Sequence, residues 1–525
     1  MKKIINLTFA LLAIISLAPA NAQDKKVIEK IIEIGTTDNQ AMDHLDVLTN
    51  RIGGRLIGSD GYENAAEWMA SKFREWGMQV EMDYVGELPV GFNRGPWFGR
   101  MLSDNGMILH FATPSYTSGT KGVQKGHVVL EPKTQAEFDR MKGKLNGAWV
   151  LITGKNDGWP IDISPEADGR RAELIEKNVE INRQNREIIM HNRQNPDDRK
   201  ELYELEDEPA LFYKQMREAG ILGIIQSSSN PIRALYDRKN IDKMSFDNLP
   251  SVPDIKLDEH QFVIIERMAR ERQRFELEFN IRNHWNPGPV KYHNVIGIIP
   301  GTKYPDEYVI MGGHLDAFDV ATGGVDCGSG LTPAMEAARL IMAAGGKPER
   351  TILVIGWAGE EFGLYGSKAW VANNKDKHDK VSNMFNRDGG PLVTSGMSVP
   401  QAMYKDFEKI CKPLNDINPE FPFTLSVAEP RRKPAVASGT DAGSFAVEGI
   451  PTIRFNETDP KGYDFNYGEI WHTERDLYNM SIPEYQEHTA IVTAIVVYGV
   501  ASLDHLLSRE GLYLPEDAEG GSTRR

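Results

Sequence analysis

The sequence predicts an α/β protein built on a mixed, mainly parallel sheet flanked by helices, with a β-rich α+β domain inserted into it. Three observations carry that expectation. From His293 onward, apolar runs of strand length alternate with helical ones: strands at 295–299, 308–312 and 351–357, helices at 332–344 and 367–372. Such alternation belongs to open sheets covered by helices on both faces. After Pro114 the texture differs, with short β-rich pieces at 127–130 and 148–152, a helix at 211–219 stopped by Gly220, and a strand at 221–225. At 525 residues the chain also exceeds what one core usually spans, about 250 to 300 residues.

Taken in order, Lys2 and Lys3 precede an apolar stretch at 4–17, and Ala20 and Ala22 supply the small residues that a signal peptidase reads before Gln23. Residues 1–22 therefore read as a cleaved secretory signal. The stretch is shorter than the roughly 20 residues of a spanning helix. The mature chain is expected to be exported, periplasmic or extracellular, without a membrane span. Residues 23–114 form the first part of the main domain: a helical period from 39 to 76, broken by a glycine-punctuated loop at 51–59, then a strand at 78–85 after Gly77. Residues 115–280 hold the inserted domain. Within it, 172–194 lacks Gly and Pro and spaces Leu174, Ile181, Ile188 and Ile189 as a helix does. A solvated face is the first reading of that helix, with a lid or a homodimer contact as alternatives. Residues 281–525 complete the core and close on an apolar run at 490–503, too short to span and expected as a buried helix.

Lys and Arg number 60 against 75 Asp and Glu, a net charge of -15. A surface of that sign suits phosphate backbones poorly, so no nucleic-acid partner is expected. Two cysteines exclude a disulfide scaffold, although export permits a bond between Cys327 and Cys411.

Chemistry concentrates where strands end. His314 closes an apolar strand and is followed by Asp316, a carboxylate near enough to orient its ring. Asp326 lies in a glycine-rich turn that feeds a helix; lacking the Lys-Ser/Thr of a phosphate loop, the turn is a poor nucleotide cradle. The strand at 351–357 runs into Glu360 and Glu361 between glycines. There one carboxylate can hold a metal while its neighbour takes a proton from water. Asp388 and His472 are weaker signals alone. Together His314, Asp326, Glu361, Asp388 and His472 offer the mixed nitrogen and oxygen donors that zinc accepts, and one shared carboxylate can bridge two ions.

Order and spacing of these motifs resemble the M28 zinc peptidases, which include aminopeptidases and the carboxypeptidase Q group, from Asn50 through His472. The resemblance implies the zinc exopeptidase fold and two Zn2+ per chain. It places His314 and Asp388 on one ion, Glu361 and His472 on the other, and Asp326 between them. Glu360 becomes the general base and Asp316 the orienting carboxylate. The implied substrate is a short peptide, most readily cleaved as by an aminopeptidase, with a carboxypeptidase Q-like activity as the alternative; Asp319-Val320 and the 348–351 run lean toward the latter. The middle of the chain resembles a protease-associated domain. Two departures stand out: Thr440-Asp441-Ala442-Gly443-Ser444 lacks the His and Pro of the usual Ser-Asp-His-x-Pro-Phe segment, and Cys327 replaces the usual Asn or Asp. Tyr463, Tyr467, Asp441 and Arg454, with Arg431 and Arg432, are candidates for the substrate side. Rival readings are a one-zinc glutaminyl cyclase of related fold and a binding protein that keeps the fold without catalysis.

Overall fold

The computed structural model describes residues 20–103 and 106–515; the expected signal, up to residue 19, lies outside them. In chain order the strands are β1 (Gln79–Asn93), β2 (Trp97–Leu102), β3 (Phe111–Ala112), β4 (Gln124–Leu130), β5 (Ala148–Asn156), β6 (Gly223–Ser228), β7 (Asp254–Asp258), β8 (Glu276–Ile281), β9 (His284–Ile299), β10 (Tyr304–His314), β11 (Arg350–Trp357), β12 (Val381–Asn386), β13 (Val393–Val399), β14 (Thr424–Val427) and β15 (Phe455–Thr458).

The central sheet runs β1-β9-β11-β10-β12. It is mixed: β10 is parallel to both β11 and β12, whereas β9 is antiparallel to β1 and β11. Every residue of β11 is buried, because the sheet is covered on both faces. Ile352 and Val354 join Val309 and Met311 under the helices Gly330–Ala343 and Pro483–Ala501, while Leu353, Ile355 and Trp357 pack with Trp370 and Phe445 on the other side. The apolar run near the carboxyl end forms the helix Pro483–Ala501, buried along nearly its whole length as expected. Each fully buried Val or Ile there contributes roughly 1.5 to 3 kcal/mol. Among the described residues no helix is long and apolar enough to cross a membrane.

The strands between β1 and β9 form a second sheet, β2-β8-β4-β5-β6-β7-β3. Its first strand, β2, lies ahead of residue 115, because Trp97–Leu102 pairs along its whole length with β8. Trp149 and Phe279 anchor the core of this inserted unit, ring centroids 4.7 Å apart. The long helix spans Pro165–Gln194, seven residues earlier than its apolar spacing suggested, because Ser164 caps it by accepting from Ala167 N and Pro165 suits its first turn. Ile181 and Ile188 are half-buried and Ile189 is exposed. Leu174 is half-buried against the core of this unit, and amides tie the helix down as well. Asn178, Asn185 and Asn192, seven apart, each clamp the backbone N–H and C=O of one residue in the returning chain, Glu206, Tyr203 and Lys200. A buried ion pair joins unit and core: Arg94 donates to Asp319 Oδ1 at 2.8 and 3.0 Å.

Candidate metal centre

The carboxyl ends of β10, β11 and β12 face one cavity, where open α/β sheets bind ligands. His314 is the last residue of β10, Glu360 and Glu361 follow β11, and Asp388 follows β12. Glycines allow this crowding. A Cβ on Gly312 would lie 1.9 Å from Ile355 O, and one on Gly313 would lie 2.7 Å from Arg387 O and 2.9 Å from Cys327 Sγ.

His314 Nδ1 donates to Asp316 O at 2.8 Å, which leaves Nε2 free to face Asp326 Oδ1 at 3.1 Å and Asp388 Oδ1 at 3.4 Å. His472 Nε2 faces Glu361 Oε2 at 3.0 Å and Asp326 Oδ2 at 3.5 Å. The two oxygens of Asp326 are thus divided between the two imidazoles. Asp316 does orient His314, but through its backbone carbonyl. Its carboxylate is 3.6 Å from Nδ1 and accepts instead from Glu360 N at 3.1 Å and Glu361 N at 3.2 Å, which fixes the glutamate pair. His472 has φ +59° and lies between Phe318 and Trp471, ring centroids 4.5 and 4.1 Å away.

Electrostatics fit a cation at this point. Burial pushes Glu360 up to about 10 and holds Glu361 well above the usual carboxylate range, with neighbouring carboxylates adding to both. Burial depresses His472 to about 4. Glu361 Oε1 is buried without a hydrogen-bond partner. A cluster of acids that protein charges leave undercompensated is what divalent ions neutralise, and the donor set suits zinc. Cys327 Sγ also approaches His314 and Asp388; it donates to Arg387 O at 3.3 Å, and burial raises it to about 11. Cys327 and Cys411 are both free, with no disulfide between them.

The cavity, about 470 Å3, is lined by Asp326, Glu360, Glu361, Asp388, Tyr467 and His472, together with Arg238, Lys368 and Trp471. Of the two tyrosine candidates, only Tyr467 is there; Tyr463 is exposed and donates to Glu484 Oε1 at 2.5 Å. Arg454, Arg431 and Arg432 line an adjoining cavity of about 680 Å3 that shares Asp388, Ser438 and Thr440 with the first. Asp441 is fully buried beneath that shared wall, both oxygens unpartnered, and burial raises it to about 7.

Two supporting residues carried no signal of their own in the sequence. Asp476 accepts from Val325 N at 2.6 Å and from Asp326 N at 3.3 Å, holding the turn that carries Asp326. Arg55, wholly buried, donates to five carbonyls, those of Leu48, Gly53, Leu315, Thr322 and Gly323, and so ties the 51–59 loop to the metal turn. Both sit inside motifs visible in the sequence, but only packing gives them partners.

Strand-end histidine and carboxylates around a shared aspartate define a metallopeptidase of the α/β exopeptidase type. The model of peptidase family M28 matches residues 294–496. Mouse carboxypeptidase Q is 22% identical over 497 residues, covering 93% of this chain and 92% of its own; the human enzyme is 22% identical over 504 residues, covering 92% and 90%. The crystal structure of a peptidase M28 precursor from Shewanella amazonensis superposes with TM-score 0.55 at 19% identity, covering 93% of this chain and 99% of that one. Residues 294–496 thus match peptidase family M28, and with these relatives they support a zinc metallopeptidase.

Proposed function

We propose that the chain is an exported exopeptidase that uses two zinc ions to hydrolyse short peptides. The observation that carries this reading is Asp326, whose separate oxygens face His314 at 3.1 Å and His472 at 3.5 Å. His314, Asp388 and Asp326 would hold one ion, and His472, Glu361 and Asp326 the other. Bound there, zinc polarises a carbonyl and makes water a nucleophile at neutral pH. Glu360 lines the same cavity without a ligand's position, so it takes the proton of the attacking water and delivers it to the leaving amine. Asp316 holds Glu360 through its backbone N–H, and Tyr467 is placed to donate to the developing oxyanion.

The carboxyl end of the peptide is the favoured target, ahead of the aminopeptidase reading. All four acids lining the cavity are assigned to metal or proton transfer, which leaves none to receive a substrate ammonium. Relatives named carboxypeptidase Q span 93% of the chain. A one-zinc cyclase would leave half of the donor set unused, and a binding protein would leave the whole set idle.

Elemental analysis of the purified protein, paired with hydrolysis of dipeptides blocked at one end, tests this reading. About two zinc per chain, with cleavage abolished by a carboxyl-terminal amide and retained with an amino-terminal acyl group, is the expected result. Cleavage that only the acyl group stops would restore the aminopeptidase reading. One zinc with pyroglutamate formation would make it a cyclase.

A further inference from the structure

The cavity wall beside Glu361 and His472 comes from the inserted unit. Residues 232–238 run across both ligand loops. Glu474 N donates to Ile232 O at 3.0 Å and Ile232 N to Glu474 Oε1 at 3.1 Å, while Tyr236 Oη and Arg238 Nη2 donate to Glu361 O at 3.0 and 3.3 Å. Arg238 lines the cavity, its guanidinium 5.5 Å from the Trp159 ring and 6.0 Å from that of Tyr236. Rings and a carbonyl fix such a cation without neutralising it. Among the described residues it makes no ion pair, so its charge is available to the cavity.

We propose that Arg238 is the specificity-determining residue that receives the free carboxylate of the peptide, so that the inserted unit completes the substrate site. This rests on the carboxyl-end reading above. A guanidinium presents a planar fork that pairs with a carboxylate through two hydrogen bonds. Of the other cations, Lys368 lines the same cavity but is a point charge without a planar fork and donates to Gly363 O at 2.9 Å, and Arg233 stacks on Trp471 at 5.3 Å outside the cavity lining. The cavity, about 470 Å3, is of a size for a short peptide.

The test compares kcat/KM for a dipeptide and for its carboxyl-terminal amide, in the native chain and in Arg238→Met, with zinc measured in both. The native chain should prefer the free acid, and the substitution should cut that preference by about 10- to 100-fold, as loss of a charge-assisted hydrogen bond does. The loss should appear mainly in KM, with zinc content unchanged. A preference that survives Arg238→Met would overturn the role of Arg238 and leave the carboxyl-end reading intact. Equal cleavage of acid and amide by the native chain would overturn both. Should Arg238→Met lose zinc, Arg238→Lys, which keeps a donor for Glu361 O, carries the same comparison; it should retain part of the preference, and full retention would count against a bidentate contact.

Discussion

The two halves of the proposed metal centre are held by different means. His314 and Asp388 stand at or just beyond the ends of β10 and β12, adjacent parallel strands whose register fixes both, and a single carbonyl orients the imidazole. Glu361 and His472 stand on loops. His472 and the nearby Leu364 take left-handed backbone, φ +59° and +65°, and the inserted unit straps both loops through Ile232, Tyr236 and Arg238. One half is therefore a product of the sheet, and the other of contacts between two sheets. The strand-held half resists local change because moving it means shifting a ladder of backbone hydrogen bonds; the loop-held half can be tuned by a segment with no metal ligand of its own.

The largest expected effect falls on the residue that belongs to neither half as a ligand. Glu360→Gln should lower kcat by about 10²- to 10⁴-fold, the usual worth of a general base, while both ions stay bound. Zinc loss in that variant would mean that the adjacent glutamates have exchanged roles. Tyr467→Phe should lower kcat by about 10²- to 10³-fold if the phenol serves the oxyanion, and a kcat near the native value would remove it from the site. Next come the ligands. Asp388→Ala should empty only the strand-held half and His472→Ala only the loop-held half, about one zinc remaining in each, whereas Asp326→Ala should weaken both. Unchanged zinc in Asp326→Ala would refute the bridge. The smallest effect should come from the strap. Tyr236→Phe removes one hydrogen bond to Glu361 O, worth about 1 kcal/mol, and should loosen the zinc on that side a few-fold in a chelator competition. Equal loosening of both ions would show that the halves are not independently held.

Legibility cut across the two halves. His314 after an apolar run, and the Glu pair after a run buried on both faces, follow from local pattern, because a parallel strand covered on both sides needs continuous apolar residues and its end is where chemistry is exposed. Asp388 and His472 were readable only through resemblance, since an acid or a histidine in a loop has no periodicity to mark it. Other readings changed on contact with packing. Asp316, expected to orient His314, does so through its carbonyl, and its carboxylate caps the backbone of Glu360 and Glu361. The helix expected over 172–194 begins at Pro165 and packs Leu174 on the core, but amide clamps from Asn178, Asn185 and Asn192 also hold it, a pattern that hydrophobic spacing does not register.

By itself the sequence determined an α/β core of a mixed sheet covered by helices and the buried carboxyl-terminal helix, and it marked His314 and the Glu360–Glu361 pair as candidates, because burial periodicity and donor chemistry are properties of local residues. Tertiary structure alone decided which donors face each other, which tyrosine lines the cavity, and that Arg55 and Asp476 brace its loops. Those outcomes depend on contacts between residues up to some hundreds of positions apart, such as Arg55 with Gly323 and Ile232 with Glu474, and no local pattern encodes where two distant loops will meet.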